Sequence, residues 1–175
     1  MRLTGNNKGA TLVELIIAMA VAAIVLSMIM YFIFGAAKSF QRTSDEVNLQ
    51  LEAQTAINQI NNIILEAGDM EVYPSDGLIN PITGDIRYTF HCNNNEFYSF
   101  IFVEADRMLY QVQTTGFVEA RTVTYNRQEN LLADYVKELS ISKVDRNKSA
   151  KIDLLLALGP EEYRVSKLVK MRNAK

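Results

Sequence analysis

The sequence predicts an α+β fold: one long N-terminal helix, transmembrane in its first half and amphipathic in its second, packed on a mostly antiparallel sheet. Three observations predict it. Residues 15–37 run for 23 positions without a charge, and at about 1.5 Å per residue they make a helix of roughly 34 Å, long enough to cross a bilayer. Residues 38–67 hold neither glycine nor proline and repeat Ala53, Ile57, Ile60, Ile64 and Ala67 at spacings of four and three, the one-face pattern of a helix. From Ile86 onward, runs rich in β-branched and aromatic residues alternate with polar breaks, the pattern of strands and turns.

In order along the chain, residues 1–9 read as a short basic leader. They carry Arg2 and Lys8 but lack the apolar core that precedes cleavage in a secretory signal. Residues 10–37 form the membrane helix and 38–68 its amphipathic continuation. Glu46, Glu52 and Asn58 are expected in solvent, and Gly68 is the expected C-cap. Pro74, Asp76-Gly77, Pro81 and Gly84 make 70–85 a turn-rich surface loop. The β-rich domain, 69–175, then holds expected strands at 86–90, 97–103, 108–113, 117–125, 136–144, 151–158 and 163–171. Residues 104–107 and 145–148 suit hairpins, and 130–135 suit a brief helical turn.

Composition excludes several functions. The net charge of -2 comes without a basic stripe, so nucleic acid is not indicated as a partner. His91 is the only histidine and Cys92 the only cysteine, too few for a Cys/His zinc cage or an internal disulfide. Adjacent positions on a strand point to opposite faces, so the pair does not form a nucleophile and its base. Asp76 and Asp85 match no calcium-loop spacing. The expectations are therefore no catalytic residues, no metal site and no cofactor.

Glu14 is an isolated carboxylate in an apolar run, where charge at the bilayer centre costs about 2.5–3.5 kcal/mol. A cut after Gly9 would place the new Ala10 amine one helical turn from Glu14 and on its face. Within one subunit the two charges could neutralise each other; between subunits they could set an axial stagger.

Lys8-Gly9-Ala10-Thr11-Leu12-Val13-Glu14-Leu15 resembles the processing and methylation motif of type IV prepilins and pseudopilins. The resemblance implies a type IV pilin-like fold, cleavage by prepilin peptidase between Gly9 and Ala10, N-methylation of Ala10, and an assembly role for Glu14. Its implied partners are other pilin or pseudopilin subunits, an inner-membrane assembly platform and membrane lipid. The implied location is the cytoplasmic (inner) membrane, crossed once, with the C-terminal domain extracytoplasmic and the chain moving into a filament on assembly. Ala10 stands where the family most often has phenylalanine, and Tyr31 where many major pilins have proline. More diffusely, 132–142 and Arg172-Asn173 resemble late segments of J-type minor pseudopilins and related minor pilins. The function implied is a minor pilin or pseudopilin subunit of a type IV pilus, type II secretion or competence machine. The rival reading is a signal-anchored single-pass protein with an adhesin-like binding domain.

Overall fold

The computed structural model describes residues 11–73, 84–92, 95–116, 123–145 and 148–174. Among these residues it is α+β, with one helix, α1 (Leu12–Glu66), followed by eight strands. The chain divides into two compact units, Met1–Thr43 and Ser44–Lys175.

In the first unit α1 is exposed throughout its described length. The sequence explains how it stays helical: its backbone groups bond within the helix, and two of its hydroxyls bond back onto it. Ser27 Oγ donates to Ile24 O at 2.7 Å, and Thr43 Oγ1 donates to Ser39 O at 3.1 Å.

In the second unit the strands are β1 (Ala67–Tyr73), β2 (Asp85–Cys92), β3 (Glu96–Val103), β4 (Met108–Thr115), β5 (Leu131–Ala133), β6 (Val136–Val144), β7 (Ser149–Leu158) and β8 (Glu161–Lys170). Every pairing is antiparallel. The strands divide between two sheets, ordered β1-β2-β3-β4-β5 and β6-β7-β8. Tyr88 Oη donates to Leu139 O at 3.2 Å, and Lys143 Nζ meets Asp69 Oδ1 at 2.8 Å, so the edge of the second sheet is tied to the first.

The predicted helix face is the core face. Ala53, Ile57, Ile60, Ile64 and Ala67 are all buried, together with Leu49, Ala56 and Ile63. They pack with Phe90, Phe100 and Leu109 of the first sheet and with Ile152, Leu154 and Leu156 of the second. Each fully buried aliphatic side chain contributes about 1.5–3 kcal/mol, which outweighs the modest helix propensity of isoleucine. A smaller cluster of Ile101, Val103, Tyr110, Val112 and Val123 occupies the opposite face of the first sheet. There Arg87 pairs with Asp85 at 2.8 Å and its Nη1 donates to Val123 O.

Several expectations are corrected. Gly68 is not a left-handed C-cap, since its φ is not positive, and it lies inside β1 at a register shift. A Cβ there would come 3.3 Å from Asn173 O, so the close passage of the C-terminal segment is what favours glycine. The helix end is capped from that segment instead: Arg172 N–H donates to Leu65 O at 3.1 Å and Asn173 Nδ2 to Glu66 O at 2.7 Å. The expected 70–85 loop begins as strand up to Tyr73, because pairing with β2 supplies hydrogen bonds that local turn signals do not reveal; Asp76 and the three residues Pro74, Gly77 and Pro81 lie outside the described residues. Leu131–Ala133 is a strand paired to β4 rather than a helical turn. Residues 123–125 of the expected 117–125 strand are irregular, and 117–122 lie outside the described residues. Glu52 is half-buried rather than solvated, its Oε1 accepting from Asp134 N–H at 2.8 Å.

Candidate processing and assembly site

The first turn of α1 is held by a reciprocal pair. Thr11 is the N-cap and Glu14 the third helical residue. Glu14 N–H donates to Thr11 Oγ1 at 3.2 Å, and Thr11 N–H donates to Glu14 Oε2 at 2.8 Å. Thr11 Oγ1 also approaches Glu14 Oε2 at 3.1 Å. This Thr-x-x-Glu arrangement is a capping box, which satisfies two N–H groups that an α-helix otherwise leaves without partners. Such a cap is worth about 0.5–2 kcal/mol, and the carboxylate also sits favourably at the positive end of the helix.

The geometry gives Glu14 a structural task that an isolated carboxylate in an apolar run does not by itself announce. Thr11 is the residue missed in reading the sequence, although the Thr-x-x-Glu spacing ahead of an apolar run is a legible signal. One carboxylate oxygen, Oε2, takes both donors from Thr11, and Oε1 has no hydrogen bond among the described residues. The expected junction residues Gly9 and Ala10 lie outside the described residues.

Beyond this turn, α1 is long and apolar enough to cross a membrane. Its exposed side chains include Ile16, Ile17, Val21, Ile24 and Phe32, an arrangement that suits hydrocarbon or other helices rather than water.

The remaining candidate pair, His91 and Cys92, does not converge. His91 Nε2 stands 3.8 Å from Glu71 Oε1, and its ring meets Phe97 edge-on at 4.7 Å. Cys92 packs against the main core, its Sγ directed at Ile63 O at 3.8 Å. Burial pushes the Cys92 thiol up to about 11, helped by the negative charges of Glu66 and Glu96, the reverse of what an activated thiolate needs. Asp85, weighed as a calcium ligand, is buried against Arg87. Among the described residues no three His, Cys, Asp or Glu side chains are placed to share a metal ion.

Residues 4–30 match the family model described as the prokaryotic N-terminal methylation motif. No curated protein and no solved structure matches the chain. The family match covers the candidate junction, the capping box and the first part of the apolar helix, and it supports placing the chain among the prepilins and pseudopilins.

Proposed function

We propose, from the premise that the chain carries a prepilin-type N-terminus, that it is a structural minor pilin or pseudopilin subunit of a type IV pilus, type II secretion or competence filament. Prepilin peptidase removes residues 1–9 after Gly9 and methylates the Ala10 amine. The apolar part of α1 stores the subunit in the inner membrane, with the β-rich domain on the extracytoplasmic side. The observation that carries this reading is the matched N-terminal motif continuing into an uncharged helix of membrane-crossing length.

The capping box suggests how Glu14 serves both states. In a lone subunit its carboxylate is engaged with Thr11, which lowers the cost of holding a charge near the membrane. Oε1 remains able to accept from a second donor, and the Ala10 amine of a neighbouring subunit has the complementary charge. Subunits then dock at a fixed axial offset, and lateral packing of apolar helices holds them. The reading requires no catalysis by the chain itself.

The test is co-expression with the cognate assembly components, comparing parent, Glu14→Gln and Glu14→Ala in the sheared-filament fraction. The account expects both variants to stay in the membrane, correctly cleaved, and to be depleted at least tenfold from filaments. Equal incorporation of Glu14→Ala overturns the assembly role.

A further inference from the structure

The second sheet ends in β8, which pairs with β7 along its whole length and with no other strand among the described residues. At about 3.3 Å per residue its open edge runs for roughly 33 Å. Met171 N–H turns back towards β7, donating to Lys148 O at 2.9 Å. Backbone groups alternate along a strand, so those of Glu162, Arg164, Ser166, Leu168 and Lys170 point away from β7. Such a row of donors and acceptors is a template for another extended chain.

The side chains along this edge also lack cover. Leu168 is 61% exposed, and Tyr163 and Val165 are only partly buried although they pack against the main core. Lys167, opposite Ile152 on the core-facing side, and Lys170 have no ion pair among the described residues. Lysine on an edge, above all one turned inward, blocks indiscriminate pairing. A strand laid beside β8 would cover Tyr163, Val165 and Leu168 and set its own side chains about 5 Å from those of Lys167 and Lys170. Like charges there repel and opposite charges attract, so the lysines that bar most strands admit one carrying carboxylates. We propose that the open edge of β8 is a docking site for an extended acidic segment of a partner protein, added as a fourth strand with apolar residues over Val165 and Leu168.

A second copy of this chain does not match as well. On β8 itself Glu162 already bonds Lys137 at 2.6 Å, and Glu161 is likewise engaged. On the edge strand β1, Asp69 meets Lys143 and Glu71 faces His91. The proposed edge lies within the Ser44–Lys175 unit and does not depend on how the N-terminus is processed.

The test titrates the full chain in lipid nanodiscs with a blocked, fluorescently labelled peptide of alternating valine and threonine that carries two glutamates three positions apart. Two controls share its length: one has lysines for the glutamates, and one is N-methylated at alternate residues, so that it cannot donate along an edge. Saturable anisotropy with the acidic peptide alone is expected. Lys167→Glu and Lys170→Glu should each weaken it about threefold or more. Leu168→Pro, which takes an N–H from the open edge and spares the ladder to β7, should weaken it about tenfold. Arg107→Glu, a charge reversal in the β3–β4 turn, should leave binding unchanged. The two lysine variants are surface changes, so they report on the edge even if Leu168→Pro perturbs folding. No saturable binding up to about 1 mM peptide, equal binding of the N-methylated peptide, or equal binding by parent and both lysine variants overturns the proposal. So does dimerisation of the chain through this edge in place of peptide binding.

Discussion

Replacing Asn173 with alanine removes the amide that donates to Glu66 O at 2.7 Å. Glu66 is exposed, so water can take over part of that bond, and the loss falls near the middle of the usual range, about 1 kcal/mol. Ending the chain after Met171 also removes the Arg172 N–H bond to Leu65 O, for a total of about 2 kcal/mol. For a unit of this size those losses lower Tm by about 4 and 8 °C. Gly68→Ala acts on the same segment from the other side, because the new Cβ would stand 3.3 Å from Asn173 O and force it to move. Its effect should therefore be less than additive with Asn173→Ala, by about 0.5 kcal/mol. Thermal melting in detergent, followed by circular dichroism, compares the parent with the three single changes and with the Gly68→Ala/Asn173→Ala double variant. If the truncation melts within about 1 °C of the parent, the C-terminal segment does not cap the helix and the argument fails.

Thr11→Val deletes the hydroxyl of the capping box while keeping its shape, so the first turn should fray. Hydrogen exchange at residues 12–15 is expected to speed up about fivefold, consistent with loss of about 1 kcal/mol, and unchanged exchange there would count against the cap. The Cys92 thiol, raised to about 11, should react with iodoacetamide at neutral pH at least tenfold more slowly in the native chain than in the denaturant-unfolded one. Rapid native alkylation would contradict its burial. For Asp69, burial works against ionisation, but bonds from Lys143 and the Met70 N–H outweigh it and hold the carboxyl below its ordinary value. Its stabilisation is therefore present above the unfolded carboxyl pKa, about 3.9, and is lost as pH falls through the lower folded value. Lys143→Met should flatten that acid dependence by a few tenths of a kcal/mol, since the Asp69 side chain is mostly exposed and solvent screens the pair. An identical acid-unfolding profile would refute the contribution.

The helix was legible because both of its signals are long. An uncharged run of 23 residues and a sustained four-and-three repeat survive local exceptions, and the repeat marks the face that is buried. The strands at 136–144 and 97–103 were legible for a related reason: alternation and β-branched content act over eight or nine residues. What escaped depends on partners distant in sequence. Nothing local in Ala67–Tyr73 announces pairing with Asp85–Cys92, and Leu131–Ala133 is a strand only because β4 runs beside it. Gly68 looked like a helix stop because glycine usually ends helices, whereas here the approach of Asn173 explains it. The division into two sheets was equally hidden, since hairpin signals fix neighbours and not where the sheet breaks. At the N-terminus the motif was readable, and so was the Thr-x-x-Glu spacing of the capping box; the geometry of the first turn adds that one oxygen, Oε2, takes both donors from Thr11.

The central claim, that the chain is a peptidase-processed, filament-forming subunit, is tested most directly by the N-terminus of the mature protein. Intact mass and N-terminal sequencing of membrane-recovered protein, with and without prepilin peptidase, should be compared among parent, Gly9→Ala and Glu14→Ala. The account predicts a peptidase-dependent product beginning at Ala10, absent for Gly9→Ala and still formed for Glu14→Ala. A chain that begins at Met1 in every sample would contradict it.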